Sequence, residues 1–294
     1  MDPIQILLNG VLAPAVAAGL LFAIGWKAWR KTGDEADGRW IGSLAVAAAF
    51  ALGFLLMLGT PASFLPDSEH TPTGLDWVLW CSLPCALLAP FLARPGIPFQ
   101  LLRMVLGAGL VRLVLSSQFE STWVGQAGLN WLAGLTALFL VLWTLLERLA
   151  SARSGLHGPI VLWLFAAGFA ILAGLTGSAK IGQLGGTLAA ALGAAVVIAW
   201  RKPGFQLAGG AAAMVSLLLF SLGLNAYFYS YTPAIDILLI ASAPLFALMP
   251  VLLHKHWSVT KKTIASLALS SLPIGIAIGR AVVELLNEVD EYDY

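Results

Sequence analysis

Uncharged apolar runs long enough to cross a bilayer constrain this chain more than any motif in it. Residues 159–177, PIVLWLFAAGFAILAGLTG, hold no charged side chain, and comparably apolar stretches occupy 4–26, 41–59, 77–93, 99–118, 127–146, 181–200, 205–224, 234–253 and 263–283. About 20 such residues in a helix span about 30 Å of hydrocarbon. A helix also satisfies its own backbone in lipid, so the expected fold is an all-α polytopic integral membrane protein with about ten transmembrane helices. Composition agrees: 59% of the 294 residues are hydrophobic and 11% charged, where a soluble domain has about 25% charged. The net charge of +1 leaves no basic footprint for nucleic acid. Met1 and Asp2 put no basic segment ahead of the first run, which is longer than a signal peptide's apolar core, so this span is expected to be kept.

The cations set an expected orientation, because basic loops stay cytoplasmic. Lys27, Arg30, Lys31, Arg39, Arg94, Arg148, Arg153, Arg201, Lys202, Lys255, Lys261 and Lys262 fall in one alternating set of loops, against Lys180 in the other. The expectation is a multi-pass protein of the cell (inner or plasma) membrane with both termini non-cytoplasmic, the acidic tail NEVDEYDY outside. The 11 tryptophans all lie near span ends, as an interfacial belt requires. NAYFYSYTP at 225–233 reads as part of that belt before it reads as a sugar platform.

One internal echo organises the chain. Without a gap, TGLDWVLWCSLPCALLAPFL at 73–92 sets Asp76, Ser82, Pro84 and Pro90 against Asp236, Ser242, Pro244 and Pro250 of PAIDILLIASAPLFALMPVL at 233–252. GAGLVRLVL at 107–115 likewise sets Arg112 against Arg280 of GIAIGRAVV at 275–283, and WRKTG at 29–33 resembles WRKPG at 200–204. Spans 1–4 then match spans 7–10 with an even number of spans between the copies, so the units run parallel. The expected organisation is a first repeat unit over 1–120, a central helical hairpin over 121–179, and a second repeat unit over 180–294.

An ionisable residue inside a span calls for a named partner. The echo suggests two pairs, Asp76 with Arg112 and Asp236 with Arg280, with Arg112 about 10 Å below the outer end of its span. Two readings stand. The pairs fasten helix ends, with Arg280 also able to reach Glu284; or the arginines hold an anionic ligand and the aspartates position them. Lys180, in LTGSAKIGQLGG at 175–186, is a third outer cation, either in a weak anion nest or snorkelling from a tight turn. Gly182, Gly186, Ala190 and Gly193 suggest a small-residue packing face. Pro84, Pro90, Pro244 and Pro250 should kink spans 3 and 9, freeing carbonyls near 80, 86, 240 and 246 with Ser82 and Ser242 at hand. Both spans are expected inside the bundle and away from lipid.

Cys81 and Cys85, four apart on one helix, are not placed for a mutual disulfide, and two thiols without a nearby histidine make a poor metal site. His70 and His157 read as loop residues, and His254 and His256 as solvated beside lysines. No metal and no cofactor is implied, and no catalytic set such as HExxH or Ser-His-Asp occurs in a span. The leading expectation is a transporter or permease for a small anionic or zwitterionic solute. The alternatives are a non-catalytic membrane subunit scaffolding a larger complex, and a lipid-linked transferase using the acids of loop 61–76 and Glu120. The implied partners are the lipid bilayer, a small anionic solute and other membrane subunits.

Overall fold

The computed structural model describes residues 3–32, 35–62, 71–94, 96–151, 155–202, 204, 205, 207, 209–254 and 256–292. His70, the loop acids Asp67 and Glu69, Arg153, Lys255 and the side chains of 26–39 and 288–294 lie outside the described residues. The chain runs α1 (Pro3–Leu7), a π-turn (Leu8–Leu12), α2 (Ala13–Thr32), α3 (Glu35–Leu58), α4 (Gly74–Leu92), α5 (Ile97–Val114), α6 (Ser116–Ser121), α7 (Gln126–Ser151), α8 (His157–Leu175), α9 (Ala179–Arg201), α10 (Gly209–Ser230), α11 (Ala234–Leu253) and α12 (Val259–Tyr292). Among the described residues there is no strand, and ten helices are long and apolar enough to cross a membrane, α1 and α2 together forming the first. The eighth span begins and ends later than hydropathy suggests, because Asn225–Ser230 continue α10.

Contacts between helix termini tie the two ends of the bundle. At one end the Tyr229 hydroxyl lies 2.8 Å from Ser117 Oγ and donates to Val114 O at 3.2 Å, and Thr176 and Thr232 hydroxyls meet at 2.9 Å. This is the end where α4 and α11 begin, called here the Asp236 end. At the other, the Glu147 end, buried His157 Nδ1 lies 3.1 Å from Thr263 Oγ1. His157 is therefore the first residue of α8 and no loop side chain, because its ring fills the α8–α12 crossing.

The middle of the molecule is α10, which packs on α3, α4 and α7, with 83% of its spanning window buried. Apolarity on every side would suit lipid as well as protein, so it is the packing of α3, α4 and α7 around it that encloses this helix. Its buried Ser216, Ser221 and Asn225 donate to carbonyls four residues back, at 2.7, 2.7 and 2.9 Å, and so satisfy themselves within one helix. Spans 3 and 9 are less enclosed than expected: Leu83, Leu87 and Phe91 of α4 and Leu238, Leu245 and Met249 of α11 are exposed. A face without charge or hydroxyl gains nothing from exclusion of lipid. The neighbours of the two helices also differ. α4 lies among α3, α5 and α10, whereas α11 rests chiefly on α12, α7 and α8.

The prolines show how a broken helix is repaired. Pro90 removes the amide that would bond Ala86 O, and the Ser43 hydroxyl of α3 lies 2.8 Å from that oxygen, with Trp40 O at 2.9 Å. Ser82 and Ser242 do not reach the carbonyls freed at 80 and 240. Those oxygens are only two residues back, and the hydroxyls take Leu79 O and Leu239 O, three back, each at 2.7 Å. Ser43→Ala is expected to destabilise the protein by about 1–2 kcal/mol by stranding Ala86 O. In a Pro90→Ala background the restored amide should remove most of that loss, as a double-mutant unfolding cycle would measure; additivity would rule the repair out.

α8 and α9 form a tight hairpin through Gly177 at φ +97, where Ser178 N donates to Ala173 O at 3.2 Å in a Schellman closure. The helices then approach until a Cβ on Gly182 would lie 2.8 Å from the Gly174 backbone and one on Gly185 3.0 Å from Ala170, while Gly186 has open space. The small-residue face thus runs through Gly182 and Gly185, with Gly186 turned away by helical phase. Gly182→Ala should lose about 1–3 kcal/mol because backbone cannot yield. Gly186→Ala should be neutral, or stabilising by up to about 1 kcal/mol. Equal midpoints in thermal unfolding would contradict this packing.

Candidate functional site

Of the two expected ion pairs, one forms. Arg280 Nε donates to Asp236 Oδ1 at 2.9 Å, joining the start of α11 to α12. The partners differ sharply in environment: the Arg280 side chain is 46% exposed and that of Asp236 fully buried. Asp236 Oδ2 is buried with no hydrogen-bond donor in reach. Arg280 has no ion pair with exposed Glu284 among the described residues, so Asp236 holds its guanidinium at the Nε edge alone and the side chain is otherwise half-exposed.

Asp76 does something else, and the reason is local. Its Oδ2 accepts from Thr73 N at 2.8 Å and from the Thr73 hydroxyl at 2.7 Å, while Thr73 Oγ1 accepts from Asp76 N at 3.4 Å. This reciprocal box caps α4. The corresponding position before α11 is Pro233, with neither amide hydrogen nor hydroxyl, and α11 has no side-chain cap. Asp236, with no cap to make, reaches α12. The expected Asp76–Arg112 pair is accordingly absent, and Arg112 lies over the Phe119 ring at 5.1 Å. Nor is Arg112 deep. The helix breaks at Leu115, where φ is −106 and ψ 27, so Arg112 is an exposed residue in the last turn of α5, where a cation suits the helix dipole. Lys180 is exposed in the first turn of α9, and Ser178 serves as that helix's N-cap, accepting from Ile181 N at 3.4 Å. Arg112, Lys180 and Arg280 thus stand on three different helices, α5, α9 and α12.

A stronger charged cluster escaped the sequence reading. Arg103, 3% exposed and about 9 Å along α5, forks onto Glu147 of α7 through Nη1–Oε2 at 2.8 Å and Nη2–Oε1 at 3.1 Å. Its Nε donates to Leu92 O at 2.6 Å, filling an otherwise unbonded carbonyl of the last turn of α4. The guanidinium also lies 5.1 Å from the centroid of Trp143. Trp143 is consequently a core residue, 2% exposed, and no part of an interfacial belt. α7 runs on to Ser151, leaving this ring two turns inside. Every edge of that guanidinium is occupied, so it fastens α4, α5 and α7 and offers nothing to a ligand.

An apolar cleft of about 300 Å³ lies between α7, α8, α10 and α11, lined among others by Leu138, Phe165, Phe169, Phe220, Tyr227 and Ile237. Trp123 and Trp131 stack at 4.9 Å with Phe228 edge-on to both, at the α7–α10 side of the Asp236 end. Cys81 and Cys85 are free thiols, and His254 stacks on Trp257 at 4.0 Å. Comparison with protein-family models and with curated proteins finds no match.

Proposed function

We propose that this membrane protein is a transporter for a small anionic or zwitterionic solute, with Arg280 as its anion contact and Asp236 as the positioner of that arginine. The observation that supports it is the asymmetry of the pair. A buried carboxylate fixes one edge of a half-exposed guanidinium through Nε alone, and the terminal nitrogens, the donors that grip carboxylate or phosphate, make no ion pair among the described residues. The cation bias of the loops supports an outward-facing position for this end. Arg112 and Lys180 are surface cations that raise the local anion concentration without sharing the site. The two parallel four-helix units belong to this proposal as well, supported by the matching Ser82 and Ser242 bonds in α4 and α11.

Protein in lipid nanodiscs should be stabilised by one or more members of a panel of inorganic phosphate, sulfate, short mono- and dicarboxylates and amino acids. The same compound should enter proteoliposomes, and both effects should vanish in Arg280→Gln. A panel without effect, or effects that survive that substitution, would overturn the reading.

A second reading, a non-catalytic subunit of a larger membrane complex, is favoured by the apolar cleft, whose lining suits a partner's apolar helix. Cysteines at Leu138 and Leu238 that crosslink to a co-purifying membrane protein, with no solute uptake, would select it. The lipid-linked transferase would use the same cleft for a chain and Glu120, exposed on α6, for chemistry.

A further inference from the structure

We infer that an anion and a proton bind this site together, the anion taking Arg280 and the proton taking Asp236. The inference rests on the reading of Arg280 as the anion contact and adds its coupling. Asp236 is fully buried, receives one charged donor, Arg280 Nε at 2.9 Å, and has nothing at Oδ2. Pro233 gives it no cap, leaving only the partial positive charge of the α11 N-terminus. Other titratable groups are sparse around it. Besides Arg280, α12 offers exposed Glu284, and α10 offers Tyr227 and Tyr229 near its end. α7 from Gln126 to Leu146 and α8 from Pro159 to Leu175 have none.

A solute anion outside the pair competes with Asp236 for one guanidinium. When the half-exposed arginine turns to the solute, the buried carboxylate is left without a counter-charge, a state that neutralises by taking up a proton. The balance is simple: guanidinium and carboxylate sum to zero before, and guanidinium, monoanion and carboxylic acid sum to zero after, the proton coming from water. Linkage makes the effect reciprocal, so protons promote anion binding as anions promote protonation.

Two measurements on the full chain in nanodiscs test this. Infrared difference spectra should show a protonated carboxylic acid near neutral pH in Arg280→Gln that is missing from wild type and from the Asp236→Asn/Arg280→Gln double variant; its absence overturns the exchange. In weakly buffered solution, sodium methanesulfonate or sodium nitrate, both monoanions and neither a buffer near neutrality, should be bound by wild type with uptake of about one proton per anion. In Asp236→Asn, which also loses the positioner of Arg280, whatever anion still binds should do so without proton uptake. Anion binding without proton uptake refutes the coupling and leaves the anion site standing. Failure of both probes to bind through Arg280 removes the anion site and this inference with it. Should Arg280→Gln not fold, the wild-type titration decides.

Discussion

Replacing Glu147 by leucine is expected to lower the stability of the bundle by about 3–5 kcal/mol, because it strands a charge that cannot leave. The Arg103 side chain is 4% exposed and fixed on three sides, by Glu147, by Leu92 O and by the Trp143 face. With Glu147 gone, a lysine at this position could relieve itself by shedding its proton; a guanidinium cannot. Arg103→Lys keeps the charge but loses the fork that meets both carboxylate oxygens while Nε holds Leu92 O, so it should lose about 2 kcal/mol. The double change Arg103→Met/Glu147→Leu should recover much of the deficit of Glu147→Leu, since paired apolar side chains of similar volume often replace a buried ion pair without loss. Denaturant unfolding in one detergent would measure all three. A Glu147→Leu loss below about 1 kcal/mol would mean that water reaches Arg103 and that the cluster is not the fastening described.

The helices were legible because hydropathy over a membrane-length window is a bulk property, insensitive to any one contact. The enclosure of α10 was not legible: its polar residues are small hydroxyls and an amide that bond their own helix and so would sit against lipid as readily as against protein, and no rule marks the lipid-facing side of α4 or α11 either. The different fates of the two aspartates also lay in the sequence, in Thr73 against Pro233. Reading the echo for its matches hid the mismatch that decides which carboxylate caps and which one pairs. The Arg103–Glu147 cluster was not legible. Its members sit 44 residues apart on neighbouring spanning helices, too far for a local motif to show the pairing, and expected boundaries put Glu147 one residue outside its span. The one available signal was that an arginine within a span needs a partner, which says that Arg103 is held but not by what.

The same contact should give two unequal losses at the Asp236 end. Arg280→Gln is expected to destabilise by about 3 kcal/mol, because it leaves a fully buried carboxylate with neither counter-charge nor donor. Asp236→Asn should lose only about 1 kcal/mol: the amide occupies the same volume, and Arg280, already 46% exposed, turns to water or lipid headgroups. The double variant should resemble Asp236→Asn alone, since the group that suffers from the loss of Arg280 is then gone. Unfolding midpoints of the three variants in one detergent would settle the order, and equal single losses would place Asp236 in contact with water. The asymmetry bears on the proposed function because, if Arg280 is the anion contact, it has to let go of its positioner when the solute arrives. A guanidinium whose departure is nearly free for itself and costly for its partner can do so only if something else relieves the partner, and at this buried position a proton is the smallest group able to do it.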